Sequence, residues 1–137
     1  MKQENNSTPA AAEAAFYHAF EQCDAAAMRE VWADEDLVCV HPGANPITDL
    51  EAIIRSWERI FAGAAAPRIE TRIVQSFIQD GLAVRIVEEH IGSASAATAT
   101  ARVLATNVYR HVETGWRMVS HLGSLLPAAA SARETRH

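Results

Sequence analysis

The sequence is short of cysteine and of positive charge, and each shortage excludes a class of protein. Cys23 and Cys39 are the only cysteines in 137 residues, too few for a disulfide framework and without the paired spacing of a zinc site. Each sits in an apolar stretch, where a reduced thiol packs as a small hydrophobe. The alternative is a nucleophilic Cys39, since two residues along a strand put it on the same face as His41. Lys and Arg number 12 against 17 Asp and Glu, a formal net charge of -5. The chain therefore lacks the basic footprint that phosphate backbones require, and nucleic acid is not an expected partner. No run approaches the ~18 apolar residues of a membrane span, and the opening residues have no signal-like apolar core. No membrane partner is expected, and the cytoplasm is the expected location. Glycine-rich phosphate loops, nucleophile elbows and dinucleotide fingerprints are also missing.

What is present suits a single soluble domain: 49% hydrophobic and 21% charged residues over a length that can bury one core. The expected division is a flexible N-terminus over residues 1–8, one domain over 9–126 and a flexible tail over 127–137. Thr8 and Pro9 open a helix running to Cys23, with Ala12, Phe16, Ala19, Phe20 and Cys23 at helical spacing. Asp24 caps a shorter helix, Ala25 to Trp32, and Leu37 to Val40 is a brief strand. Thr48 with Glu51 makes a capping box for a helix through Phe61, whose stripe is Leu50, Ile53, Ile54, Trp57, Ile60 and Phe61.

Beyond Pro67 the period changes to two. Ile69 to Ile78, Leu82 to Ile91, Thr98 to His111 and Trp116 to Leu122 read as four strands, turning at Asp80-Gly81, around Gly92-Ser93 and at Glu113-Thr114-Gly115. Helices followed by a meander predict an α+β domain in which N-terminal helices cover one face of a curved, mainly antiparallel sheet, forming a cone with an internal pocket. In one strand Ala101, Val103, Ala105, Asn107 and Tyr109 share a face, and Arg102, Leu104, Thr106, Val108 and Arg110 take the other. Helices from one chain cover only the first. Leu104 and Val108, framed by arginines, predict a homodimer through the outer sheet face.

The polar residues nominate a site. His41 ends the strand at a proline, and imidazole near its ordinary pKa of ~6.5 is a candidate general base. Asn107 lies mid-strand on the covered face, where its NH2 could donate to a developing oxyanion. His121 alternates with Val119 toward the same cavity. Phe16, Phe20, Trp32, Trp57, Phe61 and Tyr109 are the expected walls for a small apolar or amphipathic molecule. His90 is expected at the surface, and Glu88-Glu89 reads as a solvated strand edge. Zinc-type ligation by His41, His90 and His121 is disfavoured by their scattered spacing. No cofactor is required.

Four segments carry a resemblance to a known family. They are Ala15 to Asp24, Val31 to Gly43, Ile53 to Phe61 and Gly115 to His121. With this order of elements, the chain from about Pro9 to Leu125 resembles the nuclear transport factor 2-like superfamily, whose fold is the cystatin-like α+β cone, and most closely its SnoaL-like branch. That superfamily includes ketosteroid isomerase, scytalone dehydratase, limonene epoxide hydrolase and polyketide cyclases beside transport factors. The resemblance implies cofactor-independent proton transfer of isomerase, dehydratase or cyclase type; the alternative is a ligand-binding or dimerisation domain without catalysis. Over the ketosteroid isomerase pattern of an Asp base facing a Tyr and a protonated Asp, His41 falls where the base stands and Asn107 at the protonated Asp. Phe16 falls near the Tyr, which removes one oxyanion donor and argues against steroid isomerisation. Tyr17 is adjacent, turned by about 100° on the helix.

Overall fold

The computed structural model describes residues 6–63, 65–93 and 101–127. Residues 1–5, the tail from 128 and the proposed strand start at 98–100 lie outside the described residues. Helix α1 spans Pro9–Gln22, with Thr8 accepting from the Ala11 amide at 3.0 Å, and ends where Cys23 turns left-handed. Helix α2 (Ala25–Val31) is capped by Asp24. Helix α3 (Leu50–Ala62) is capped by Asp49 rather than Thr48, because Asp49 reaches the Ala52 amide at 2.9 Å. Residues 6–8 are tied to the domain: Asn6 is buried and its carbonyl accepts from the Trp116 amide at 2.8 Å.

Strand β1 (Val38–Val40) is followed after α3 by β2 (Pro67–Gln79), β3 (Leu82–Ser93), β4 (Ala101–Val112) and β5 (Gly115–Leu125). The sheet order is β1-β5-β4-β3-β2, antiparallel except where β1 runs parallel to β5. The β2–β3 hairpin turns at Asp80 and Gly81, whose φ of 54° and 79° are the pair of positive values a two-residue turn needs to match strand twist. Helix-plus-meander periodicity thus becomes an α+β fold, with three helices and one five-stranded sheet among the described residues.

The covered face holds the core. Ala12, Phe16 and Ala19 of α1 and Ile53, Ile54 and Trp57 of α3 are buried with Val87, Val103, Ala105, Tyr109 and Met118 of the sheet. The alternation read in β4 is observed, with Val103, Ala105, Asn107 and Tyr109 all buried. On the other face Phe77, Leu82 and Leu122 are exposed. Among the described residues no helix is long and apolar enough to cross a membrane.

Strand register decides what shares a row. Arg85 pairs with Asn107, Asn107 with His121, and His121 with Cys39, so one line of side chains crosses β3, β4, β5 and β1 beneath α1.

Candidate functional site

Glu13 and Tyr17 project from α1 onto that row, four residues apart and thus on one side of the helix. The Glu13 carboxylate takes three donors: Arg85 Nε at 2.9 Å, Asn107 Nδ2 at 3.2 Å and the Tyr109 hydroxyl at 3.1 Å. A carboxylate so placed can only accept, so the Asn107 NH2 must face it and the Asn107 oxygen must face the other way. That oxygen lies 2.7 Å from His121 Nδ1, which therefore carries the ring proton. His121 Nε2 is left as a bare lone pair.

The second Asn107 proton goes to the Tyr17 oxygen at 3.1 Å, and the Tyr17 hydroxyl donates in turn to Glu89 Oε2 at 2.5 Å. Both amide protons are thus engaged within the protein. The expectation that Asn107 offers one to a substrate oxyanion is corrected: burial beside Glu13 and Tyr17 makes it a link that orients His121. Because Tyr17 donates to Oε2, a proton taken up by Glu89 sits on Oε1.

His41 follows β1 and meets α3. Its Nε2 lies 2.8 Å from Ser56 Oγ, whose own proton goes to the Ile53 carbonyl at 2.6 Å. The hydroxyl can then only accept, so Nε2 carries the His41 proton and Nδ1 is the open acceptor. Cys39 Sγ is 3.7 Å from the same Nε2, but burial pushes this thiol up to about 12, away from the thiolate a nucleophile needs. The two side chains do share a face, as their spacing predicts.

Phe20, His41, Pro42, Trp57, Ile60, Glu89, Ile91, Val103 and His121 line a cavity of about 90 Å³ between the helices and the sheet. Gly123 lets one wall close, because a Cβ there would stand 3.2 Å from the Pro42 ring. Of the expected walls only Phe20 and Trp57 border this cavity. Phe16 and Trp32 fill the interior with no exposure, Phe61 packs behind Phe20 and Trp57 with ring centroids 6.4 and 5.9 Å away, and Tyr109 is spent on Glu13. Large rings at helical spacing have packed against one another, leaving far less room than the ~300–1,000 Å³ of drug-sized pockets.

Burial sets the protonation of the lining. It lowers His121 to about 3, with His41 adding to the effect when it is protonated, and lowers His41, helped by the Arg59 charge. Both imidazoles are neutral acceptors at pH 7. Burial raises Glu89 to about 7 against the lowering effect of the Tyr17 hydrogen bond. The reading of Glu88-Glu89 as a solvated edge is overturned, since Glu89 is 1% exposed and Glu88 6%. Glu88 points to the outer face, where hydrogen bonds first from Arg102 and then from Arg72 hold it down to about 2. His90 is there too, 3.3 Å from Glu88 and not part of the cavity lining. The missed signal was Glu13 and Tyr17, a polar pair spaced like the Phe16 and Phe20 stripe beside it.

The SnoaL-like domain profile matches residues 10–129 of this chain. A Thiobacillus denitrificans structure, named as a candidate calcium/calmodulin-dependent protein kinase type II association domain, is 38% identical with a TM-score of 0.84, the match covering 88% of this chain and 97% of that one. A candidate dehydratase of the NTF2-like family from Streptomyces avermitilis is 28% identical with a TM-score of 0.76, covering 85% and 92%. A ketosteroid isomerase-like protein from Erwinia carotovora atroseptica shares the fold at 18% identity and a TM-score of 0.71, covering 86% and 93%. No curated protein matches the chain.

Proposed function

Because the chain belongs to the SnoaL-like domain family, we propose that it binds a small molecule in this cavity and moves a proton on it without a cofactor. The observation that carries this is the convergence of His41, His121 and Glu89, two acceptors and one carboxyl, on one apolar cavity. His41 Nδ1 takes a proton from a carbon next to a carbonyl, and Glu89 Oε1 gives its proton to the carbonyl oxygen. One C–H bond and one carboxyl O–H bond break as an imidazole N–H and an enol O–H form. His121 orients the substrate through Nε2. Asn107 holds His121 in place, and Glu89 takes the hydrogen-donor role that the sequence suggested for the amide.

Deuterium uptake tests this without a known product. In D2O, a panel of small ketones and aldehydes is followed by proton NMR with and without the protein. At least one compound is expected to exchange its α-hydrogen faster than in buffer, and His41→Gln to slow that exchange by ~10²–10⁴-fold, the usual worth of a placed base. Exchange at the buffer rate across the whole panel would overturn the reading.

A second role has its own support in the outer sheet face, where Phe77, Leu82 and Leu122 are 53%, 43% and 38% exposed. We propose that two copies pair through it; a relative named as an association domain fits that reading. Sedimentation is expected to give a dimer at micromolar concentration, and Leu122→Glu a monomer, because a charge desolvated in an apolar contact is costly. A wild-type monomer would discredit the pairing.

A further inference from the structure

A second, larger hollow shares no lining residue with the cavity. Thr8 to Ala10 at the start of α1, with Ser76 to Ile78, Ala83 and Arg85 of the β2–β3 hairpin, line an open groove of about 390 Å³. That volume falls within the ~300–1,000 Å³ of small-molecule pockets. Strand register sets Ser76 beside Arg85 and Ile78 beside Ala83, on the face that carries Asn107. Arg85 is the charged residue of this lining. Its side chain is 19% exposed, yet of its N–H donors only Nε has an acceptor among the described residues, Glu13 Oε1 at 2.9 Å. Neither Nη is shut off from solvent. The outer edge of the guanidinium is therefore open to whatever enters the groove.

These groups select by charge and by shape. The two Nη of a guanidinium match the two oxygens of a carboxylate in a bidentate pair, and the Ser76 hydroxyl is a further donor beside them. Glu13 offsets part of the Arg85 charge, but its carboxylate is engaged by Nε, Asn107 and Tyr109 and lines no part of the groove. An ammonium group would meet a cation there and no carboxylate to hold it. Pro9, Ile78 and Ala83 supply apolar wall, Ile78 being 61% exposed, so a hydrocarbon body gains by covering them. Independently of the proton-transfer reading, we infer that this groove is a binding site for small carboxylic acids with a compact hydrocarbon body, Arg85 holding the carboxylate.

Hexanoate, hexanamide and hexylamine share a chain length and differ in charge, while acetate and phosphate are anions without the chain. Each is titrated into the full-length protein and followed by nitrogen-15 NMR. Hexanoate is expected to shift the Arg85 Nε–H and the backbone amides of Ile78 and Ala83, and to leave the His121 ring signals in place. It is expected to bind about tenfold more tightly than hexanamide, the worth of a charge-assisted pair, and than acetate, which lacks the buried hydrocarbon. Arg85→Lys keeps a cation for Glu13 but loses the fork, and is expected to weaken hexanoate about fivefold. Should that variant unfold, Ile78→Glu puts a carboxylate into the groove at an exposed position, and is expected to weaken hexanoate about tenfold in a folded protein. Hexanamide, hexylamine, acetate or phosphate binding as tightly as hexanoate would overturn the assignment. So would hexanoate shifts confined to the His121 cavity, or groove signals that answer to protein concentration and not to hexanoate, which would make the groove a contact between copies. Loss of hexanoate binding leaves the proton-transfer reading standing, and absence of α-hydrogen exchange leaves this site standing.

Discussion

Glu13→Leu is expected to cost about 3–5 kcal/mol of folding stability, the range for removing one partner of a buried, hydrogen-bonded ion pair. The carboxylate accepts from Arg85, Asn107 and Tyr109 at once. A leucine leaves three donors without their acceptor and a guanidinium only 19% exposed. Denaturant midpoints measure the loss, and a change below 1 kcal/mol would show that the three donors find other partners. Glu13→Gln separates positioning from bulk stability. Its carbonyl oxygen stays with the Arg85 cation, which turns its NH2 toward Asn107. Asn107 must then flip, presenting its own NH2 to His121, and the His121 proton moves from Nδ1 to Nε2. Nitrogen-15 shifts of the His121 ring report this tautomer directly. A ring that keeps its Nδ1 proton in Glu13→Gln would refute the chain of orientation.

Acidification is expected to lower stability gently from pH 7 to about 4.5 and then to drop it steeply. His121 is held near 3 when folded, against an ordinary value of 6.5. Below 6.5 the unfolded chain takes up this proton and the folded chain does not, so the contribution is present above 6.5 and lost as pH falls toward 3. At ~1.4 kcal/mol per pH unit the full loss is about 5 kcal/mol, a large part of the ~5–15 kcal/mol typical of a domain. His41 has the same sign. Glu89 has the opposite one: its folded carboxyl protonates near 7 and its unfolded form near 4.5. Stability therefore rises by about 3 kcal/mol as pH falls between those values. The gain on Glu89 offsets the loss on His121 in that window, and His41, with the sign of His121, leaves a residual fall. Below 4.5 the offset ends, and Glu88, held near 2 by Arg102 and Arg72, begins to lose its contribution as well. Glu89→Gln removes the offset, so its stability is expected to fall from pH 6.5 downward. Urea midpoints across pH 3–8 for both proteins test the balance; identical profiles would show that Glu89 does not titrate in that range.

Most elements were legible because they rest on local chemistry. Thr8 and Pro9 start α1, Asp80-Gly81 turns the first hairpin, and alternation in β4 buries Val103, Ala105, Asn107 and Tyr109. Asp49 took the α3 cap from Thr48 because two capping residues stand side by side and only geometry chooses between them. The site was half legible. His41 and His121 do line one cavity, yet Asn107 points its protons at Glu13 and Tyr17, which no local pattern in β4 could reveal. Glu89 was hidden by its neighbour: in a strand, adjacent carboxylates face opposite sides, and Glu88 alone belongs to the outer face.

By itself the chain of residues determined the helices, the meander, the buried face and a histidine at the rim, since caps, turns and periodicity act over a few residues. Tertiary structure alone decided the cavity's size, the direction of every proton around it and the role of Glu89. Those depend on strand register and on α1 lying across Arg85, Asn107 and His121, with hydrogen bonds between residues up to 96 positions apart that tertiary geometry, not local propensity, brings into line.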